Sequence, residues 1–226
     1  MAIPTDVDPS QAFRALREEI WQQRLEEDPL FAMRTGEHRY NDKLADVSLE
    51  GQARHAALRQ KSLEQLRALD PEQLDEPDRV DHGILSTLLD QEIALYKYNN
   101  HLLPINRLFG FHTAFLELPN EAPLRTLTDY RNYIARLKAF LPHTRQHIAA
   151  MREGMRLGIT QPRVILEGLA ETVRPHAVAD PAQSLLYKPF AAFPPSIPEA
   201  ERAGLEADGR VAIAAAAAVA YRELLA

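Results

Sequence analysis

The chain is predicted to be all-α, an irregular array of about seven to nine helices joined by long proline-containing connections. Three observations predict it. Apolar residues recur at three- and four-residue spacing through most of the 226 residues. Capping residues precede those stretches, and proline or glycine ends them. No strand alternation and no internal repeat interrupts the pattern. The most orderly stretch is TLTDYRNYIARLKAFLPHTRQHIAAMREGMRLGITQP, residues 126–162, where a helix, a proline, a second helix and a glycine stop follow in turn.

The first helix is expected from Asp8-Pro9, a capping carboxylate before a proline suited to a first helical position. Phe13, Leu16, Ile20 and Leu25 then carry it to Asp28-Pro29. Pro29 to Arg34 reads as a short turn ended by Gly36, and Glu37 to Val47 as loop. Ser48 caps the next helix, which carries Leu58, Leu63, Leu66 and Leu69 and stops at Asp70-Pro71, because the residue before proline is pushed out of the helical region. After Pro77 a third long helix places Val80, Ile84, Leu88 and Leu95 on one side. Leu85, Leu89 and Ile93 broaden that stripe, which implies contact on two sides.

Asn99 to Pro123 reads as a packed connection with one short helix at Phe111 to Glu117. Thr128 is expected to cap the following helix, whose stripe is Tyr130, Tyr133, Ile134, Leu137 and Leu141. Pro142 costs about 3 kcal/mol inside a helix, so a break with restart is expected there, the second piece running to Leu157-Gly158. Gln161-Pro162 opens a helix to about Val173, Pro175 to Pro195 is proline-dotted loop, and Ser196-x-x-Glu199 is a capping box for the last helix. That helix reaches Leu224-Leu225-Ala226 with no glycine, proline or basic last turn, the expected signature of a polypeptide cut from a longer parent.

Composition bounds the function. A net charge of -6, with 26 basic against 32 acidic residues, leaves no basic excess to displace counterions from a polyphosphate, so nucleic acid is not an expected partner. The absence of cysteine removes disulfides and thiolate zinc sites without fixing a compartment. Residues 1–9, MAIPTDVDP, have neither the basic nor the apolar region of a signal peptide, so soluble cytoplasmic and exported locations both stay open. The apolar run Val211 to Tyr221 falls far short of the ~20 residues that span a bilayer and reads as a buried helix.

Helix-borne zinc hydrolysis needs two histidines one turn apart with a glutamate beside the first, and no His-Glu-x-x-His occurs. His143 and His147 have the spacing, but Thr144 stands where the base would be, which favours two packing or solvent-facing imidazoles. No Glu-x-x-His is present for a di-metal bundle. His38, His82, His101 and His112 read as local hydrogen-bonding residues. Gly154 and Gly158 lack the preceding strand that a phosphate loop requires. Tyr96, Tyr98 and Asn99 close a helix and are the candidates for lining a cleft, against the plainer reading of half-buried packing. The alanines 214–218 imply close helix packing only.

An ordered series of features resembles a bacterial family, domain of unknown function 885. It begins with Asp28-Pro29, Gly36, Tyr40-Asn41 and Leu44-Ala45-Asp46-Val47-Ser48. Asp129-Tyr130, Arg136-Leu137, Met151-x-x-Gly154, Gly158 and Pro162 follow. Pro189-Phe190, Pro195, Ile197 and the alanine-rich helix ending in Tyr221 and Leu224 complete it. The resemblance implies a zincin-like metallopeptidase in which a His-Glu pair and a later histidine bind zinc. No catalytic or metal residue of that motif has a counterpart in this chain. The expectation is therefore a single helical region, 1–226, forming the amino-terminal half of such a protein, without a cofactor of its own and inactive alone. Zinc is implied for a full-length member, and peptide is the substrate once a catalytic half is present. Apolar surface left bare on the third and last helices is expected to drive self-association. The alternative is a stand-alone helical binding module.

Overall fold

The computed structural model describes residues 8–106 and 109–226. The leader reading of residues 1–7, and Arg107 and Leu108 within the irregular connection, lie outside the described residues. The order is α1 Pro9–Glu27, α2 Pro29–Arg34, α3 Leu49–Arg67, α4 Glu76–Lys97, α5 Phe111–Ala114, α6 Leu118–Glu121, α7 Leu127–Leu157, α8 Arg163–Leu166, α9 Leu169–Val173, α10 Lys188–Ala191, α11 Glu199–Ala212 and α12 Ala218–Leu225. Short 3-10 turns join several of these. A π-helical turn, Ile213–Ala217, links α11 to α12. Among the described residues no strand forms; one isolated antiparallel bridge pairs Ile105 with Gly110. The chain is all-α, as its periodicity predicts.

Two cores result. The smaller closes α1, α3 and α4 around Phe13, Leu16, Leu63, Leu66, Leu69, Leu74 and Leu89. The larger wraps α7 with the α11–α12 rod and the intervening short helices around Tyr130, Tyr133, Leu137, Phe140, Leu186, Phe190, Ile197, Ile213 and Tyr221. Three buried tyrosines tie connections into it: Tyr130 donates to the Pro189 carbonyl (3.0 Å), Tyr133 to Leu186 (2.7 Å) and Tyr221 to His112 (2.8 Å). These carbonyls belong to segments with few ladder partners of their own, so the phenols satisfy groups that would otherwise be buried unpaired.

Arg136 joins the two halves. It lies on the inner face of α7 and is only 1% exposed. Its guanidinium donates to the carbonyls of Lys43 (3.0 Å), Pro29 (3.0 Å) and Tyr40 (3.3 Å) and to the Met33 sulfur (2.9 Å). One side chain thereby holds α2 and the 37–47 loop against α7. Burial pushes it down to about 10 while the carboxylates of Asp42, Asp28 and Glu121 pull the other way, so it stays charged at neutral pH. A second tie sits alongside. Gln146 of α7 donates to Asp46 (3.1 Å) and accepts from the Val47 N–H (3.1 Å), and Ser48 caps α3 by accepting from Gly51 (3.0 Å). A Cβ on Gly51 would stand 2.7 Å from Asp46, so the turn closes only around glycine.

Several local expectations change. Thr126, not Thr128, caps α7: its hydroxyl accepts from Asp129 N, while the Asp129 carboxylate accepts from Thr126 N, a reciprocal box. Pro142 does not break the helix, which runs unbroken from 127 to 157. The carbonyl left without its donor belongs to Lys138, and Lys138 and Pro142 are both exposed. Tyr133, Ile134, Leu137 and Phe140 are buried before the proline, and Thr144, Ala150 and Gly154 after it. Each large side chain contributes about 1.5–3 kcal/mol, enough together to offset the proline. The helix closes where expected, with Gly158 at φ 73 and Ile159 N bonded to Gly154 O (2.8 Å).

The helix expected from Pro162 to Val173 splits into α8 and α9 at Gly168, φ 80. Ser196 does not cap α11; its hydroxyl donates to Arg125 O (2.7 Å), and Pro198 occupies the cap. The last rod buries Leu205, Gly209, Ile213, Ala217 and Tyr221 at four-residue intervals. In a 3.6-residue helix that spacing drifts by about 40° per step. The π turn at 213–217 removes about one residue of that rotation and keeps Tyr221 facing the core.

The broad stripe of α4 does not meet partners on two sides. Leu89 is buried, whereas Val80 (58%), Ile84 (55%), Leu88 (45%) and Leu95 (52%) stand in solvent. The last rod covers most of its apolar face, Val211 (62% exposed) excepted.

Replacing Arg136 by Met removes the donors it gives to the Pro29, Lys43 and Tyr40 carbonyls, of which Tyr40 keeps a turn donor, Lys43 N, and is expected to lower unfolding free energy by about 2–4 kcal/mol. Arg136→Lys keeps the charge but not the fork and should lose about 2 kcal/mol, both read by denaturant titration. At Gly209 an added Cβ would lie 2.4 Å from the Phe190 ring. Gly209→Ala is therefore expected to destabilise by about 1–3 kcal/mol in the same assay.

Candidate binding cleft

Where the smaller core meets α7, a cleft of about 390 Å³ opens between four segments. α3 contributes Gln52, Ala56 and Arg59; α4 contributes Glu92, Leu95 and Tyr96. The connection after α4 adds Asn100, His101, Leu103 and Pro104, and α7 adds His147. Glu92 and Tyr96 share a face of α4 because they are one turn apart. Asn99 then takes the left-handed conformation at φ 59, which turns the chain so that His101 stacks on Tyr96, ring centroids 4.7 Å apart.

The charged floor is internally neutral. Arg59 donates to Glu92 (2.7 Å) and to Glu27 (2.7 Å), and Arg24 donates to the other oxygen of Glu92 (2.6 Å). Burial pushes Glu92 up, but its bonds to Arg59 and Arg24 outweigh that and leave it lowered. In Glu27 burial prevails over Arg59 and the carboxyl is raised. Beyond this quartet lies an apolar groove of about 340 Å³ walled by Ile20, Trp21, Phe31, Leu85 and Leu88.

The polar wall consists of neutral groups. His143 and His147 lie on one face of α7, as their spacing predicts, with ring centroids 4.6 Å apart and edge to face. Phe111 stacks on His147 at 4.0 Å and meets His143 at 6.1 Å. Burial holds His143 down at about 4 and, with a smaller push from His143, holds His147 at about 3. Both imidazoles are therefore neutral at pH 7. Burial likewise lowers His101. Among the described residues the buried Nδ1 atoms of His143, His101 and His112 have no hydrogen-bond partner.

The sequence candidates separate. Tyr96 lines the cleft. Tyr98 is 76% exposed and outside it, and Asn99 serves the turn. His82 bonds Leu66 O (2.9 Å), His38 lies 3.2 Å from Asn41 Nδ2, and His112 abuts Thr172. Arg59, Glu92, Gln52 and Asn100 were not legible as site residues, because only the crossing of α3 and α4 brings them together.

The residues present do not fit zinc. The histidine pair has no carboxylate beside it, and Phe111 covers one face of His147. Among the described residues no group of three His, Cys, Asp or Glu side chains is placed to hold a metal ion. What the cleft supplies is hydrogen bonding from uncharged groups beside apolar surface.

Because His143 and His147 bind protons more weakly in the folded chain than the free value of 6.5, the unfolded chain is favoured as acid is added. Stability is expected to be full above pH 6.5 and to fall between there and about pH 4, by up to about 1.4 kcal/mol per pH unit for each imidazole. Denaturant titrations at pH 7.5 and 5.0 measure this, and His143→Gln should flatten the dependence.

Residues 29–226 match the profile of a family described as "Bacterial protein of unknown function (DUF885)". No curated protein matches the chain. The residues that carried the resemblance have visible work in the fold: Asp46 and Ser48 in the α3 cap, Arg136 in the joint, Gly154 and Gly158 in the α7 stop, Tyr221 in the core. With the match extending over all but the first 28 residues, the chain belongs to the DUF885 family.

Proposed function

We propose that this chain is the helical, substrate-facing wall of a peptidase-like protein, with the zinc and water chemistry supplied by sequence outside these residues. The observation that carries the reading is the cleft itself. It gathers Tyr96, His101, Asn100, Gln52 and His147 around an internally neutralised floor, and it offers no set of metal ligands. Groups of that kind suit the main-chain amides of an extended peptide, which need donors and acceptors but no counter-charge. The family resemblance supplies the peptidase half of the proposal.

A stand-alone binding module is the second reading, favoured by a cleft whose hydrogen-bonding set needs no metal. The two differ in what lies beyond Ala226 in the parent gene: an in-frame continuation bearing a His-Glu pair supports the first, and a stop codon supports the second. The bare stripe Val80, Ile84, Leu88 and Leu95 further leads us to propose self-association, which sedimentation over a wide concentration range would reveal and a uniform monomer would exclude.

The purified chain is expected to hold no stoichiometric zinc by elemental analysis and to cleave no peptide. It should bind a capped, uncharged peptide weakly, with chemical-shift changes clustered at Tyr96, His101 and His147. Tight zinc accompanied by peptide hydrolysis would overturn the assignment, as would shift changes confined to other surfaces.

A further inference from the structure

The apolar groove and the polar cleft adjoin. On α4, Leu85, Leu89, Glu92 and Tyr96 recur at helical spacing and share a face, and on α3 so do Gln52, Ala56, Arg59 and Ser62. Leu85, Leu89 and Ser62 line the groove; Tyr96, Ala56 and Gln52 line the cleft; Arg59 and Glu92 line both. The bonded pair is a ridge between the two spaces, its side chains 27% and 25% exposed.

The groove suits a flat apolar group. Trp21 stands edge-on to Phe31, ring centroids 5.7 Å apart at 77°, and Ile20, Leu85 and Leu88 complete the wall beside the buried Leu89. Trp21 (39%) and Leu88 (45%) leave apolar surface in solvent that a guest would cover. A cavity of about 150 Å³ holds a benzene ring. The groove, at about 340 Å³, has room for an aromatic side chain with its stem. Charge decides against a fatty acid or an amine. Each cation on the groove is committed: Arg17 to Asp81 (2.6 Å), Arg24 to Glu92 (2.6 Å), Arg59 to Glu92 and Glu27 (2.7 Å each). A charged guest would have to break one of these pairs or enter without a counter-ion, whereas an uncharged side chain does neither.

We propose that the groove is a side-chain subsite of the cleft, selecting a bulky apolar residue, aromatic before aliphatic, in a peptide whose main chain lies along Tyr96, Asn100 and His147. The inference rests on the peptide reading of the cleft and adds what that peptide must carry. The preference for an aromatic ring comes from the Trp21–Phe31 pair, which offers a third ring both a face and an edge. Leu89 and Tyr96 stand about 10 Å apart along the axis of α4, a span that about three extended residues cover. The selected residue sits that far from the one beside Tyr96, and the amides between them cross the neutral Arg59–Glu92 ridge.

Trp21 is the sole tryptophan of the chain, so its emission reports on the groove. The probes are two capped, uncharged heptapeptides, one all serine and one with phenylalanine at its centre. The phenylalanine peptide is expected to bind about ten- to hundredfold tighter, from burial of one phenyl ring. It should also shift Trp21 emission and move the Tyr96, His101 and His147 resonances. Leu88→Glu, at a half-exposed position of the groove wall, should bring the two peptides to equal affinity. Val80→Glu, about two turns away on α4 and outside the groove, should keep the preference. Equal affinities for the wild-type chain, with the cleft resonances moving and Trp21 silent, would overturn the subsite and leave the peptide reading of the cleft standing. A Trp21 response with the cleft resonances unmoved would overturn both. A preference that survives Leu88→Glu would mean that the phenyl ring lies elsewhere, and would sink the subsite alone.

Discussion

A guanidinium buried without a directly bonded carboxylate must find its acceptors in the backbone, in carbonyls with a lone pair to spare. Arg136 finds three, Lys43, Pro29 and Tyr40, at the start of α2 and in the loop that follows it, the Tyr40 carbonyl also accepting from Lys43 N (3.0 Å). The position of α2 and of residues 37–47 relative to α7 is fixed by that side chain together with Met33, Leu30 and Leu44, which pack into the larger core. The placement of α1 and α3 follows in turn, since they flank that segment in sequence. The Gln146–Asp46 contact repeats the same tie one step further along α7. Polar joints thus reinforce the apolar packing of Met33 and Leu102 against α7 in holding the two helix groups together.

The cleft is a by-product of that joint. Two helix groups held by a few fixed points leave a gap where neither presents enough apolar surface to fill it. Here the gap is floored by Arg59 and Glu92, whose charges Glu27 and Arg24 complete from behind, and walled by neutral rings and amides. Charge is present in quantity but is consumed within the floor. A ligand therefore meets hydrogen-bonding groups without a net field, the opposite of the strongly polarised centre that a hydrolytic metal creates.

Much of this is legible in the sequence. The caps of α2 and α3 and the glycine stop at 158 follow from capping and breaking rules that act within a few residues, whereas at α1 only the proline at the first turn holds, since the Asp8 carboxylate makes no cap bond. The misreadings share a cause. Thr128 lost to Thr126 because the box depends on which carboxylate reaches back, and Ser196 was drawn off by the distant Arg125 carbonyl. Pro142 was overridden by burial along the whole of α7, a sum that local propensity does not contain. In the site, Tyr96 was accessible to reasoning from a helix end, whereas Arg59 and Glu92 looked like solvated surface charges until their helices crossed.

By itself the sequence determined the helical class, most helix boundaries, the absence of a His-Glu zinc motif and the kinship with DUF885. These are carried by short-range patterns, or by the order of residues along the chain. Only the tertiary structure decided that Arg136 is a buried joint, that α7 passes through its proline, and that His143 and His147 are neutral rings against Phe111 at the edge of a cleft. The reason is physical: burial and desolvation depend on what packs across from a residue, and its sequence neighbours do not specify that.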